Sequence, residues 1–188
     1  MRTITISASG PPTITSIPTP VPSSGFTLVR IHAFGINHAE SEIPTPGIEC
    51  VGTIASCPGC KGGQFRVGLP VASITSGLGQ TQSSTYAEYT IVPVGNIVPL
   101  VHVDDWEGME GGGERDMERK WEEEMGMSWS EVAALPVSDV PLREVVRAVA
   151  DGKFEAKPSK VFKFEEIHEV HRYMEEGVVK GKMVVVVD

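Results

Sequence analysis

Polar residues in the first third of the chain carry groups that are suited to proton transfer. Asn37, His38 and Glu40 fall within the segment Asn37-His38-Ala39-Glu40, and Glu49 follows a short distance along the chain. An amide, an imidazole and carboxylates can together polarise a carbonyl and supply both a proton donor and a proton acceptor. We expect His38 to be the acid or base, because histidine has an unperturbed pKa near neutrality. This set of residues suits enolisation, isomerisation or cyclisation.

The cysteines and the remaining histidines offer few metal ligands. Cys57-Pro58-Gly59-Cys60 is a single C-x-x-C motif, whereas a structural zinc ion requires four ligands. We expect a turn with two thiols there, with zinc binding or redox chemistry as the alternative. The odd total of three cysteines favours a reducing compartment and free thiols. His168 and His171 are expected to be surface or half-buried residues of a helix rather than ligands.

The charge of the chain is concentrated in one segment. The 188 residues have a formal net charge of −9, and residues 104–125 alone contain ten acidic and three basic residues. A surface that lacks a basic stripe cannot neutralise phosphates, so we expect no nucleic-acid binding and a small-molecule ligand instead. The longest apolar run, Met183–Val187, is far too short for a membrane helix, and no signal peptide is recognisable. These features predict a single cytoplasmic domain without membrane association.

Short β-favouring runs separated by proline and glycine predict an all-β unit, barrel-like or sandwich-like, before residue 102. Residues 102–127 then change in character, with three consecutive glycines and interleaved charges. We expect a flexible acidic insertion there, and a partner-binding segment anchored by Trp106 and Trp121 is the alternative. The predicted strands are Thr3–Ile6, Thr27–Ile31, Val51–Ala55, Pro70–Ile74, Tyr86–Val94 and Ile97–Val101.

The C-terminal part, residues 137–188, alternates between helix and strand and is expected to pack on residues 1–136. Apolar residues at i, i+3, i+4 and i+7 from Leu142 predict a helix that ends before Gly152. Glu165–Glu176 predict a second helix, ended by Gly177, after an extended segment at Phe162–Phe164. Met183–Val187 predict a buried strand.

Several segments follow one another in an order shared with a known family. They are Gly35-Ile36-Asn37-His38-Ala39-Glu40, Pro46–Gly52, Phe65–Ala72, Tyr86–Tyr89, Met127–Pro136 and Pro158–Val187. This order resembles the medium-chain dehydrogenase/reductases, specifically the zinc-independent branch of quinone oxidoreductases and enoyl reductases. The resemblance implies a mainly β fold with C-terminal helices, in which a GroES-like β-barrel binds substrate. It also implies that Asn37, His38, Glu40 and Glu49 line the catalytic cleft, with Tyr86 on the next segment.

The sequence departs from the family where a complete Rossmann domain should follow Leu135-Pro136. Here Val137–Leu142 already resemble the far end of that domain, so its middle is missing. Gly77-Leu78-Gly79 and Gly111-Gly112-Gly113 are glycine-rich, but neither lies in the strand-to-helix turn that binds pyrophosphate. We therefore expect no nicotinamide cofactor.

The zinc-binding positions of the family are also altered. In the zinc branch a cysteine and a histidine stand where this chain has Asn37 and Ile48, so we expect no metal. The loss of the Rossmann domain should expose an apolar face that includes Val184–Val187. A homodimer formed through this face is the expected partner arrangement.

These observations predict a cofactor-free, non-redox enzyme, namely an isomerase, lyase or cyclase. It would act on a small apolar carbonyl or polyene compound in the surviving cleft. Asn37 would orient the substrate carbonyl, and Glu49 or Glu40 would tune the imidazole of His38. Two alternatives stay open. The chain could be a non-catalytic binding or scaffold protein that inherited these residues, or a truncated form of an NADPH-dependent oxidoreductase.

Overall fold

A computed structural model describes residues 1–7, 10–37, 46–58, 60, 65–74, 84–100, 147–149, 151–153 and 157–187. Strands are the main secondary structure of these residues, and an α-helix of ten residues lies near the C-terminus. The strands are β1 (Arg2–Ser7), β2 (Gly10–Ser16), β3 (Phe26–Ile36), β4 (Glu49–Ser56), β5 (Pro70–Ile74), β6 (Tyr89–Pro93), β7 (Ile97–Pro99), β8 (Lys160–Lys163) and β9 (Met183–Val186), and the helix is α1 (Ile167–Glu176). The predicted fold class, mainly β with C-terminal helical structure, is confirmed.

The main sheet is built around the long strand β3. Its hydrogen-bonded order is β7-β5-β4-β3-β9-β8, and β6 also pairs with β3. One side of β3 pairs with β4, while the other side is shared by β6 at the start of the strand and by β9 at its end. Most residues of β3 are buried because both edges and both faces of the strand are covered. This arrangement places the end of β3 beside the start of β9.

The strand β2 was not predicted from the sequence. It pairs with β1 as an antiparallel two-stranded sheet in which Ile4 lies opposite Ile14. The strand contains Pro11 and Pro12, which cannot donate hydrogen bonds to a ladder and which therefore masked the strand pattern. Both prolines are tolerated because the pairing of β2 in the described residues is with β1 alone.

The C-terminal segment forms a β-α-β unit in which β8 and β9 pair in parallel. A 3-10 turn at Phe164–Glu166 precedes α1, so the α-helix begins two residues later than predicted. Gly177 ends α1 with φ 62°, and its N–H donates to the carbonyl oxygens of Tyr173 and Met174, as the sequence predicts. Residues 147–149 of the other predicted helix are helical, and Gly152 follows with φ 72°.

Three clusters of buried side chains hold the described part of the sheet together, and the third consists of Ala33, Val51, Leu100 and Val184. The first includes Phe34, Tyr86 and Phe164 and lies between the sheet and α1. The second lies between β3, β4, β5, β6 and β7 and is composed of Val29, Ile54, Val71, Val92 and Ile97, with Cys57, Phe65 and Leu69 packed against it. The first two clusters lie at different ends of β3, because β9 pairs with the end of that strand and β6 pairs with its start.

Strand β9 lies inside the sheet rather than at a free face. Val184 and Val185 are 0% exposed and Val187 is 4% exposed within this single chain. The interface predicted at Val184–Val187 is therefore wrong in its residues, because β3 and β8 already flank the strand. The homodimer itself stays a prediction.

Some predictions fall on parts of the chain that the structure does not describe. They concern the acidic insertion at 102–127, the two glycine-rich loops at 77–79 and 111–113, and the boundary between residues 136 and 137. In the described ranges, no helix combines the length and the apolar character needed to cross a membrane.

Candidate active site

Three polar side chains meet where β3 ends and where β4 and β9 begin. Asn37 directly follows β3, Glu49 is the first residue of β4, and Lys182 directly precedes β9. Antiparallel pairing of β3 with β4 brings the first two residues to one edge of the sheet. Ile36 lies opposite Met183 in the β3–β9 register, which brings Asn37 and Lys182 together as well. Strand pairing thus assembles a group that we call the Asn37–Glu49–Lys182 network.

The network is closed by hydrogen bonds between all three pairs of side chains. The Lys182 ammonium donates to Asn37 Oδ1 at 2.5 Å and to Glu49 Oε1 in a short ion pair. Asn37 Nδ2 donates to the same Glu49 Oε1 at 3.1 Å. The Lys182 and Glu49 side chains are 18% and 19% exposed, so the network is mostly withdrawn from water yet still reachable. Charge-assisted hydrogen bonds in such a setting are shorter and stronger than those between neutral groups.

Gly35 provides the space that the network occupies. This residue lies on β3, and a Cβ atom built on it would overlap the Glu49 carboxylate and the end of the Lys182 side chain. Its φ is not positive, so an L side chain is compatible with the backbone and only the network excludes it. Gly35 is therefore a positioning residue for the ion pair.

The structure brings together two of the five residues predicted for the site. Asn37 and Glu49 are in direct contact, whereas His38 and Glu40 lie outside the described residues. Tyr86 is fully buried in the first core cluster, where its ring stacks on Phe34 with 4.7 Å between centroids. The role predicted for Tyr86 stays a prediction, and its position is that of a core residue.

Lys182 was missed by the sequence analysis. It stands in a short turn and was treated as loop, because nothing local distinguishes it from Lys180. The sequence feature that could have identified Lys182 is its position one residue before the buried strand Met183–Val186, which predicts a side chain at the end of a strand. Only the pairing of β9 with β3 shows that the start of β9 lies beside Asn37.

The two helical histidines have different environments. His168 is exposed, as expected, but His171 is only 6% exposed, so the expectation of a surface or half-buried residue is wrong for His171. Its ring packs edge-on against Tyr86 with 6.0 Å between centroids. Burial lowers the pKa of His171 from 6.5, and His168 lowers it further, while Glu175 acts in the opposite direction. The imidazole therefore favours its neutral form.

The described residues do not fit a zinc ion. Asn37, which stands at one of the family's zinc-ligand positions, and the adjacent Glu49 both accept hydrogen bonds from the Lys182 ammonium. A positive side chain at this distance repels a divalent cation, and Ile48 offers no donor atom. No three His, Cys, Asp or Glu residues in the described ranges lie close enough to share a metal ion.

The cysteine motif differs from the prediction of free thiols. Cys57 and Cys60 are joined by a disulfide, with their Cα atoms 5.6 Å apart, so the two thiols expected in this turn are not free. This separation lies in the usual range for a disulfide, and the motif needs no backbone rearrangement to form one. Cys50 is outside the disulfide and is buried.

The described residues also do not fit the pyrophosphate of a dinucleotide. In the described ranges, β8–α1–β9 is the parallel β-α-β unit, and its strand-to-helix turn contains Glu165 and Glu166 but no glycine. The Glu166 carboxylate accepts a hydrogen bond from the Lys163 N–H at 2.7 Å and so caps this turn. Carboxylates at the start of the helix repel an anion at the place where phosphate would bind.

Solved structures of known proteins share this fold. The chain is similar to an NAD-dependent alcohol dehydrogenase, with TM-score 0.76, 16% identity and 100% of both chains covered. It is similar to the CurK enoyl reductase, with TM-score 0.75, 13% identity and coverage of 100% of this chain and 99% of the other. It is also similar to the quinone oxidoreductase from Coxiella burnetii, with TM-score 0.69, 14% identity and coverage of 100% and 99%. These similarities identify the fold.

The fold is the mainly β, GroES-like fold of the medium-chain dehydrogenase/reductases, and a quinone oxidoreductase and an enoyl reductase are among the solved structures that share it. A family model described as zinc-binding dehydrogenase matches residues 67–185, which is more than half of the chain. The chain belongs to this family. Among curated protein sequences, none matches it.

Proposed function

We propose that this protein is a non-redox enzyme that isomerises a small apolar carbonyl compound by proton transfer. The observation that carries the proposal is the Asn37–Glu49–Lys182 network, which combines a carboxylate, an ammonium and an amide in a mostly buried position. A base and an electrophile held side by side are what proton abstraction next to a carbonyl requires.

Each member of the network has a separate part in the proposed reaction. The Lys182 ammonium carries three N–H donors, two of which hold Asn37 and Glu49, and the third donates to the substrate carbonyl oxygen. The carbon next to that carbonyl loses a proton to Glu49, and the resulting enolate oxygen stays hydrogen-bonded to the ammonium. In a β,γ-unsaturated carbonyl compound this enolate is a dienolate, so Glu49 returns the proton to the γ-carbon and the carbon–carbon double bond moves into conjugation with the carbonyl. Asn37 keeps the carboxylate in place through its Nδ2 donor.

The base in this reaction is the second carboxylate oxygen of Glu49. In the described part of the chain, both hydrogen bonds from the network reach Oε1. Oε2 therefore keeps its lone pairs for a substrate proton.

We propose proton transfer rather than hydride transfer because the strand-to-helix turn of the β8–α1–β9 unit does not fit the pyrophosphate of a nicotinamide cofactor. Hydride transfer requires a nicotinamide held at reaction distance. A proton-transfer reaction requires only the side chains of this chain. The family's redox chemistry is thus replaced by chemistry of the substrate-binding half.

Deuterium exchange tests the proposal directly. A panel of small cyclic and linear ketones and enones is incubated in heavy water, and exchange at the carbon next to the carbonyl is followed by NMR. We expect exchange above the buffer rate, and a decrease of about 10²- to 10⁴-fold in Glu49→Gln. Glu165→Gln is the matched control, because Glu165 forms an exposed ion pair with Arg2 away from the network.

The result that overturns the proposal is equally specific. If the whole panel exchanges at the buffer rate, or if Glu49→Gln matches the parent, the network is not catalytic. The non-catalytic binding protein is then the better interpretation. Melting temperatures of both variants show whether a loss of exchange comes from unfolding.

A further inference from the structure

The Cys57–Cys60 disulfide lies in a position that chemistry in solution can reach. The motif directly follows β4, and both cysteines are partly exposed, while Pro58 between them is exposed. Cys60 N–H donates to the Cys57 carbonyl oxygen at 3.3 Å, so the turn is closed by the backbone as well as by sulfur. A turn that keeps its own backbone hydrogen bond can hold the two sulfur atoms near one another after the disulfide is reduced.

The two sulfur atoms have different surroundings. Cys57 packs against the second core cluster, and its Sγ lies 3.3 Å from the Oγ1 of Thr27, which is 0% exposed. In the disulfide form Cys57 has no S–H, so the Thr27 hydroxyl is the donor in this contact. Cys60 has no such contact with a buried hydroxyl among the described residues. The buried side of the disulfide is therefore Cys57.

From this asymmetry we infer that Cys57 and Cys60 form a reversible dithiol–disulfide site that exchanges with small-molecule thiols of the glutathione type. The site is separate from the Asn37–Glu49–Lys182 network and does not depend on the proposed isomerase activity. Its action is the transfer of two electrons between the protein sulfurs and the small thiol.

The exchange proceeds in two balanced steps. A thiolate of the small molecule attacks Cys60 Sγ, the sulfur–sulfur bond breaks, and Cys57 leaves as a thiolate that accepts the hydrogen bond of Thr27. A second thiolate then attacks the small-molecule sulfur of this mixed disulfide, which releases the oxidised small molecule and the Cys60 thiolate. Each cysteine takes up one proton, so that one protein disulfide and two small thiols become two protein thiols and one small disulfide.

Cys50 cannot take part in this exchange while the protein is folded. It lies on β4 in the first core cluster and is 1% exposed. A thiol of this kind is shielded from reagents, and reactive cysteines are those with partial exposure. Cys50 therefore serves as an internal control, because it should not react with thiol reagents while the protein is folded.

A redox titration tests the site. The folded protein is equilibrated in buffers with different ratios of glutathione to glutathione disulfide, quenched with acid, alkylated and weighed by mass spectrometry. We expect one reversible two-electron transition that adds two alkyl groups on Cys57 and Cys60 and none on Cys50. Cys50→Ala should show the same transition. Thiols that stay reduced in every buffer, or labelling that appears only after unfolding, overturn the inference.

The direction of attack has its own test. In Cys57→Ser, glutathione disulfide should form a mixed disulfide on Cys60 faster than it forms one on Cys57 in Cys60→Ser. In the Cys60→Ser background, Thr27→Val should slow alkylation of Cys57 by about threefold to tenfold, as expected for the loss of one hydrogen bond, whereas Thr27→Ser should not. Equal rates in Thr27→Val and Thr27→Ser show that Thr27 does not stabilise the Cys57 thiolate.

Discussion

Replacing Gly35 by alanine separates the candidate active site from the stability of the fold. A Cβ at this position would overlap Glu49 Oε1 and the Lys182 side chain, with Nζ at 2.8 Å, and ordinary contacts are 3.4–4 Å. All of these atoms are the far ends of flexible side chains, so the chain can accommodate the methyl group by moving them apart. We therefore expect Gly35→Ala to open the Asn37–Glu49–Lys182 network and to leave the sheet intact.

The expected change in stability is small because two effects oppose each other. Loss of charge-assisted hydrogen bonds costs roughly 1.5–3 kcal/mol when the groups are buried, and part of that is recovered because the displaced side chains reach water. Alanine in place of glycine contributes about 0.4–1 kcal/mol through the unfolded chain. The net loss should be about 1 kcal/mol, or about 2–4 °C in melting temperature for a chain of this size.

Gly52 on β4 provides the matched control. A Cβ there would overlap the carbonyl oxygen of Arg30 on the paired strand β3, and backbone atoms cannot move aside as side-chain ends can. Overpacking of this kind costs up to about 3 kcal/mol, so Gly52→Ala should lower the melting temperature by about 6–12 °C. Thermal unfolding followed by circular dichroism measures both variants.

The comparison with the exchange assay completes this test. Gly35→Ala should lose proton exchange at a nearly unchanged melting temperature, and Gly52→Ala should lose stability first. If Gly35→Ala is destabilised as much as Gly52→Ala, the ion pair is a structural requirement of the sheet. Unchanged exchange in a folded Gly35→Ala would show that the network does not carry the reaction.

Three further predictions concern acid, reduction and cofactors. Because burial lowers the pKa of His171 below 6.5, the unfolded chain binds the proton more tightly, so stability is complete above pH 6.5 and decreases as the pH falls below it. Denaturant unfolding of His171→Gln should depend less on pH between about 5 and 6.5, and an unchanged dependence would contradict the assignment. Reduction of Cys57–Cys60 opens a short loop and should lower the free energy of unfolding by about 2 kcal/mol, with no effect of reductant on the Cys57→Ser/Cys60→Ser double variant. Calorimetric titration with NADPH and NADH should show no binding at micromolar concentrations, and a micromolar affinity for either would refute this expectation. Dialysis against chelator should leave the melting temperature unchanged, and release of stoichiometric zinc would refute the expectation that no metal is bound.

Several strands of the main sheet were predictable because they contain a short apolar run near proline or glycine. Strand β3 nevertheless extends five residues beyond the predicted Thr27–Ile31, and β8 begins two residues before the predicted extended segment Phe162–Phe164. Pro70–Ile74 agrees with the structure residue for residue, and the helix differs only at its first turn. The strand Gly10–Ser16 was not predictable, because its prolines contradict the local strand pattern and its pairing with β1 is visible only in the structure. Local periodicity therefore predicts those strands and helices whose own sequence shows which residues form the buried face.

The candidate site was predictable only in part, for a related reason. Asn37 follows β3 and Glu49 begins the neighbouring strand β4, and both lie in segments that resemble an active site, so sequence alone could pair them. Lys182 joins them through the pairing of β9 with β3, which no local signal indicates. Cys57 and Cys60 were assigned as thiols from the count of cysteines, and that argument contains no information on the distance between their backbones.

The pairing of β9 with β3 also determines when the site comes into existence during synthesis. Lys182 lies 145 positions after Asn37 and directly precedes β9. Contacts of such long sequence separation form late and slowly, because the closure of a long loop precedes any gain from pairing. A growing chain on the ribosome therefore leaves the β9-facing edge of Ala33–Ile36 uncovered until Met183–Val186 have been synthesised and have paired with β3. Activity and protection of that edge should appear together, when β9 pairs with β3.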